Sequence, residues 1–166
     1  MVFELKSVFQ NDGETKRVSY QLDLTKTEID GAFPFSAPVE VSAFAVNRAS
    51  LVTLELDCKY DYLRCCDRCG EPVTRRIETV FEHRLAQNLS NDENDDYIET
   101  PDMTVELDEI VTSDILLSLP GKFLCRDDCK GLCPECGLNL NTGECNCQKQ
   151  FVDPRLAALK QLLNQY

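Results

Sequence analysis

Apolar and polar residues alternate along much of the first half of the chain. Val18, Tyr20, Leu22 and Leu24 stand against Ser19, Gln21 and Asp23, the period of two that marks a strand with one buried face. Residues 31–38, GAFPFSAP, carry two prolines and predict a loop. Val39 to Val46 predicts a second strand. Val52, Leu54, Leu56, Cys58 and Tyr60 share one side of a third, with Thr53, Glu55, Asp57 and Lys59 on the other. Val73, Ile77 and Phe81 restart the alternation opposite Thr74, Arg76, Glu78 and Glu82. These last two strands flank a cysteine-bearing connection and predict a long hairpin with a metal knuckle at its tip.

The second half changes period. Leu107, Ile110, Val111, Ile115, Leu116 and Leu119 follow helical spacing within residues 105–119, and Pro120-Gly121 stops the helix. Residues 124–147 form a loop-rich cysteine module that cannot build a core of its own and needs a staple. Asp153-Pro154 supplies a cap and a first-turn proline for a terminal helix with Leu156, Leu159, Leu163 and Tyr166 on one face. The stretch from Ser90 to Pro101 is polar and acidic, and predicts a mobile loop. The expected fold is α+β: a mainly antiparallel β-sheet with a long hairpin, two helices and a Cys-rich zinc module. Its organisation would be an antiparallel domain over 1–120 with one helix, a zinc-binding module over 121–150 packed on the hairpin tip, and a C-terminal helix over 151–166.

Composition narrows the class. The chain has 166 residues and is 43% hydrophobic, enough for a core and too much for a disordered tail. No apolar run approaches a membrane span and no secretory signal is visible, so the expectation is a cytoplasmic protein with no membrane partner. The net charge is -12, which disfavours bulk electrostatic attraction to nucleic acid. The charge is uneven. Residues 90–109 hold nine acids and no Lys or Arg, whereas residues 59–84 are nearly balanced and carry Arg64, Arg68, Arg75 and Arg76. If any surface meets RNA, it is that one.

Ten cysteines are the dominant chemical signal. In a reducing compartment, cysteines clustered at short fixed spacing point to metal ligation. Cys66-Asp67-Arg68-Cys69-Gly70 and Cys133-Pro134-Glu135-Cys136-Gly137 are both C-x-x-C-G, a spacing in which two thiolates face one ion and glycine supplies the positive φ that closes the turn. Cys145-Asn146-Cys147 follows the second, giving four thiolates within fifteen residues and a closed site. Cys125 and Cys129 then complete the half-site at Cys66 and Cys69, clipping the hairpin tip to the segment after the helix. The other partition, Cys66 and Cys69 with Cys133 and Cys136, stays open on spacing alone. Two zinc sites of four cysteines each are the expected cofactor content, although four sulfurs also suit iron.

The remaining candidates are weaker. Cys58 lies on the apolar side of its strand and is expected to be a small buried residue. Cys65 is a rival to Cys66 as ligand. His83, the only histidine, is expected to pack on its strand. Redox C-x-x-C pairs open a helix, but Gly70-Glu71-Pro72 and Gly137-Leu138-Asn139 look like turns. Catalysis by zinc needs an open coordination position and a base, and neither is evident. With one histidine, no G-x-S-x-G and no P-loop, the chain reads as a non-enzyme with no small-molecule substrate.

These residues resemble the YceD family, bacterial proteins also found in plastids and named for accumulation of large-subunit ribosomal RNA. Residues 64–72, RCCDRCGEP, are similar to the family's C-x-R-C-x-x-P element, and residues 107–120 to its helix ending in Leu-Pro. The most specific match is residues 124–141, LCRDDCKGLCPECGLNLN, followed by Cys145-Asn146-Cys147 and Asp153-Pro154-Arg155. The resemblance covers about residues 58–160. It implies a non-enzymatic role in processing or accumulation of large-subunit (23S) ribosomal RNA and in ribosome assembly. Relatives lacking the C-P-x-C-G module tend to keep the earlier C-x-x-C with a pair near Cys125 and Cys129, which implies two separable sites.

Three modes of action follow. Arg64, Arg68, Arg75 and Arg76 could contact ribosomal RNA or a pre-ribosomal particle through phosphate and base-stacking contacts. Each site of four thiolates around a dication adds a formal charge of -2, taking the net from -12 to -16 and weakening that mode. In the second, the acidic stretch at 90–109 engages a basic ribosomal protein or a processing enzyme, as an adaptor within or outside ribosome biogenesis. In the third, Cys65 makes the chain a thiol redox or zinc-release switch.

Overall fold

A computed structural model of the chain describes residues 1–88 and 97–147. The described elements are β1 (Val2–Glu4), α1 (Lys6–Gln10), β2 (Thr15–Leu22), β3 (Val39–Arg48), β4 (Leu51–Cys65), β5 (Pro72–Ala86), β6 (Tyr97–Glu99), β7 (Thr104–Glu106) and α2 (Leu107–Ser118). The main sheet has the order β2-β3-β4-β5-β6, and β1 pairs with β7 in a separate two-stranded sheet. All pairings are antiparallel except β5 with β6. The α+β class, the mainly antiparallel sheet and the long hairpin are as the patterning predicts.

Alternation explains how the sheet buries one face. Val39, Val41, Ala43 and Ala45 of β3 and Val52, Leu54, Leu56, Cys58, Tyr60 and Tyr62 of β4 are all buried. Val41 faces Cys58, Ala43 faces Leu56 and Ala45 faces Leu54, so the two strands bring their apolar sides into one layer. Phe3, Leu5 and Val8 from the N-terminal segment join that core, as do Leu107, Val111 and Ile115 at four-residue spacing along α2. Cys58 is fully buried, as its strand parity requires. Burial and the nearby carboxylates of Asp114 and Asp57 push its thiol up to about 12. His83 packs from β5 with Nε2 2.7 Å from Oδ2 of Asp114 on α2, which makes it a tie between sheet and helix.

Two differences from the sequence pattern have physical causes. Residues 97–99 lie inside the stretch expected to be a loop, yet form β6, with Arg84, Leu85 and Ala86 opposite Tyr97, Ile98 and Glu99. Ile98 packs partly buried against the core, and buried Thr100 donates through both its N–H (2.7 Å) and its hydroxyl (3.1 Å) to the Ala86 carbonyl. Residues 2–10 carry too short a pattern to resolve, but form β1 and α1, whose apolar side chains cap the sheet. Of the two expected helices, α2 is present at 107–118, and the terminal helix at 151–166 lies outside the described residues.

An aromatic chain leads from this core to the hairpin tip. Phe35, from the proline-rich loop, meets Tyr60 edge-on at 5.7 Å between centroids and Tyr62 at 5.9 Å. Tyr62 meets Phe123 at 5.6 Å, and the Arg75 guanidinium lies 4.9 Å above the Phe123 ring. Phe123 is fully buried although it sits in a segment without regular secondary structure. It anchors the start of the cysteine module.

Candidate metal centres

Hairpin strands β4 and β5 run to Cys65 and restart at Pro72, leaving residues 66–71 as the tip. There the Cys66 amide donates to the Glu71 carbonyl at 2.8 Å and the Gly70 amide to the Cys66 carbonyl at 2.9 Å. At the second knuckle the Cys133 amide donates to Leu138 at 2.8 Å and the Gly137 amide to Cys133 at 2.9 Å. The closing glycines have φ of 71° and 72°, a conformation open to glycine at little cost. The two C-x-x-C-G segments are therefore the same turn built twice, each aiming two sulfurs to one side.

The sulfurs converge in two groups, Cys66, Cys69, Cys125 and Cys129, and Cys133, Cys136, Cys145 and Cys147. Within each group all sulfurs lie within 4.8 Å of one another. Cys66 is 3.8 Å from Cys129, Cys69 is 3.7 Å from Cys125, and Cys145 is 3.4 Å from Cys133. A disulfide needs about 2.05 Å. A tetrahedron of thiolates at about 2.3 Å from a central ion has edges of about 3.8 Å. Both groups are thus in metal-binding geometry, and all ten cysteines are unpaired as disulfides. The donor set, four soft sulfurs, suits zinc or iron.

Electrostatics agree with that fit. Burial opposes ionisation of Cys66, but the backbone amides of Cys125, Cys69 and Arg68 hold its thiol down to about 6. Cys129 is likewise lowered: burial opposes, while the Asn141 side chain and the Gly131 amide favour the thiolate. Cys133 is held down to about 7 by the amides of Cys136 and Glu135. Burial, reinforced by neighbouring thiols, pushes Cys125 up to about 12. Cys147 rises to about 12 beside Cys136. Each group thus contains a thiol held down and a thiol pushed up, and closely packed thiolates repel unless a cation lies between them. A dication between them would offset that repulsion.

The first group is held between the hairpin tip and the segment after α2. The Asp67 amide donates to the Phe123 carbonyl at 2.8 Å, and the Phe123 amide donates back to Oδ2 of Asp67 at 2.6 Å. All four arginines singled out in the sequence make contacts within the chain. Arg68 Nη1 donates to the Cys129 carbonyl at 2.8 Å, and Arg75 Nη2 to the Leu124 carbonyl at 2.9 Å. Arg64 reaches the Pro120 carbonyl and Asp67, each at 3.3 Å. Arg76 pairs with Glu40 at 2.8 Å and Asp61 at 3.6 Å. Cys65 is exposed and outside both groups.

Sequence reasoning missed Asn141, whose Nδ2 lies 3.3 Å from the Cys129 sulfur, and the paired roles of Asp67 and Phe123. The N-x-N pattern at 139–141 was a visible turn signal, but nothing in it marked a contact with the other group.

Over residues 54–163 the chain matches the family described as large ribosomal RNA subunit accumulation protein YceD. It belongs to the YceD family. Among similar proteins, an uncharacterized protein of Mycobacterium tuberculosis is 33% identical over 102 residues, 59% of this chain and 49% of its own length. YlbN of Bacillus subtilis is 30% identical over 131 residues, 78% of this chain and 76% of YlbN. The Arabidopsis thaliana protein named large ribosomal RNA subunit accumulation protein YCED homolog 1, chloroplastic, is 24% identical over an alignment of 185 residues, 93% of this chain and 57% of that protein. The chain spans about half the length of the Mycobacterium tuberculosis and Mycobacterium bovis relatives it matches. No solved structure matches it. The YceD match takes in both four-cysteine groups, α2 and the long hairpin from Leu54 onward. Among the described residues, no helix is long and apolar enough to cross a membrane.

Proposed function

We propose that this chain is a non-enzymatic, zinc-braced factor that supports processing and accumulation of large-subunit ribosomal RNA during ribosome assembly in the cytoplasm. The reading is carried by the match of residues 54–163 to a family described by that RNA's accumulation. The same words stand in the name of the Arabidopsis relative. Zinc is the favoured occupant because both groups are complete four-thiol sets placed at structural joints, where a redox-inert ion braces the chain. The ligands would be Cys66, Cys69, Cys125 and Cys129 in one site and Cys133, Cys136, Cys145 and Cys147 in the other. A closed set leaves no coordination position for substrate, which supports a bracing role over a catalytic one.

The occupied arginines favour recruitment to the pre-ribosomal particle through a basic protein over direct RNA contact. Arg64, Arg68, Arg75 and Arg76 already hold carbonyls or carboxylates of their own chain. With the chain at net charge -12, those four arginines are poorly placed to draw in a phosphate backbone. Cells depleted of the protein should lose large-subunit ribosomal RNA relative to small-subunit RNA, with rescue by the wild-type chain and none by Cys69→Ser. An unchanged ratio would sink the proposed role. Purified protein should capture a basic ribosomal or processing protein while binding ribosomal RNA weakly. A steep salt-sensitive RNA affinity would restore the direct mode instead.

A further inference from the structure

We propose that the two four-thiol sites are coupled through Asn141, so that loading the local site raises the affinity of the long-range site. The inference rests on the metal-binding part of the reading above and is independent of its ribosomal part. Asn141 lies between Cys136 and Cys145, inside the loop that the local site closes. Its side chain leaves that loop and reaches the other group, with Nδ2 donating to the Cys129 sulfur at 3.3 Å. The amide orientation is fixed by chemistry. Oδ1 accepts from the Lys130 amide at 2.8 Å and from Arg126 Nη2 at 2.9 Å, two donors that only an oxygen satisfies. Nδ2 therefore faces the sulfur and the Asn139 Oδ1, 2.8 Å away.

The backbone around Asn141 is stitched to the same junction. The Leu140 amide donates to the Gly131 carbonyl at 2.9 Å, and Asn139 bridges to Leu132. The Leu132 amide in turn donates to the Arg68 carbonyl at 3.2 Å, inside the first knuckle. Gly131 passes so close that a Cβ there would sit 3.1 Å from the Arg68 carbonyl oxygen. Its φ of 76° also suits glycine. The loop of the local site, the Lys130–Leu132 linker and the hairpin tip thus form one hydrogen-bonded stack. Ligation through Cys145 and Cys147 pins the far end of the loop, which holds Asn141 against Cys129. A donor on a thiolate stabilises its ligating form, and loss of such an outer contact costs about 10- to 100-fold in metal affinity.

Coupling of this kind is reciprocal. Zinc affinities of the full chain would be measured by competition with a chromophoric chelator, and cobalt spectra would report each site. Cys145→Ser/Cys147→Ser should leave the long-range site intact but about tenfold weaker than in the wild type. Cys66→Ser/Cys69→Ser should weaken the local site by the same factor. Asn141→Asp keeps the shape and removes the donor, so in its presence both differences should vanish. Amide exchange across Leu54–Tyr60 would confirm that each variant keeps the sheet. Two zincs bound with affinities that ignore loss of the other site would overturn the coupling alone. Coupling that survives Asn141→Asp would overturn the role of Asn141. A wild-type chain that binds no zinc would overturn the metal reading along with it.

Discussion

The knuckle at Cys66–Gly70 and the knuckle at Cys133–Gly137 share hydrogen bonds and glycine conformation, yet they recruit partners from very different distances. Cys69 meets Cys125 across 56 positions, and that group is largely buried. Cys133 meets Cys145 across 12 positions, and Cys136 in that group is exposed. From the dependence of closure entropy on loop length, the longer closure removes about 1.4 kcal/mol more freedom from the unfolded chain. One local turn therefore serves two tasks. At the hairpin tip it fastens the end of the sheet to the segment beyond α2, while in the module it organises a short loop with almost no core.

The contrast is broken most directly by removing one thiol from each group. Cys69→Ser should cost one of two bound metals and destabilise the whole fold by about 5 kcal/mol, a fall in Tm on the order of 15 °C. Cys136→Ser should also cost one metal but lower the Tm of the sheet by only a few degrees. Equal shifts in a calorimetric scan would erase the distinction. Next in size is Phe123→Ala, which empties a fully buried position at the fastening. A loss of about 4 kcal/mol is expected, or about 12 °C in Tm. A change near zero would mean that the clip is not mechanically joined to the core.

Thiol chemistry sharpens the comparison further. In the metal-loaded protein, a brief exposure to an alkylating reagent should modify Cys65 alone, since Cys58 is buried and the other eight sulfurs are engaged. After chelation Cys136, exposed in the local group, should react before the largely buried long-range group. Mass spectrometry of the labelled peptides reads the order, and the reverse order would contradict the burial contrast. A pH dependence bears on the sheet alone. Burial pushes Cys58 up from 9.0 to about 12, so the folded state holds its proton more tightly than the unfolded chain. That contribution to stability is fully present below pH 9 and is lost as pH rises towards 12. The denaturant midpoint should fall less steeply across this window in Cys58→Ala than in the wild type, and parallel slopes would remove Cys58 as a cause.

The hairpin and both cysteine sets were legible in the sequence because each obeys a short-range rule. Strand alternation set which side chains of β4 point inward, and the C-x-x-C-G spacing set which sulfurs share a turn. The joining of Cys66 and Cys69 to Cys125 and Cys129 was readable only as the better of two partitions, since spacing carries no information about approach across the fold. Asn141 was hidden for the same reason: its sulfur contact lies across 12 positions and depends on two turns stacking. Sequence alone makes the arginines candidates for RNA contact, whereas Arg68 and Arg75 point their guanidinium groups at carbonyls of the module. β6 escaped because three residues of strand within an acidic run have too little periodicity, and pairing with β5 supplied what local sequence did not.

The fifteen-residue strands β4 and β5 have a consequence for reach. They stay in register from Val52 opposite Leu85 to Cys65 opposite Pro72. At about 3.3 Å per residue the pair makes a strut on the order of 45 Å long. The cysteine-clasped tip stands at one end of it and the β3–β4 turn at the other. Any partner engaging both ends would have to match that span.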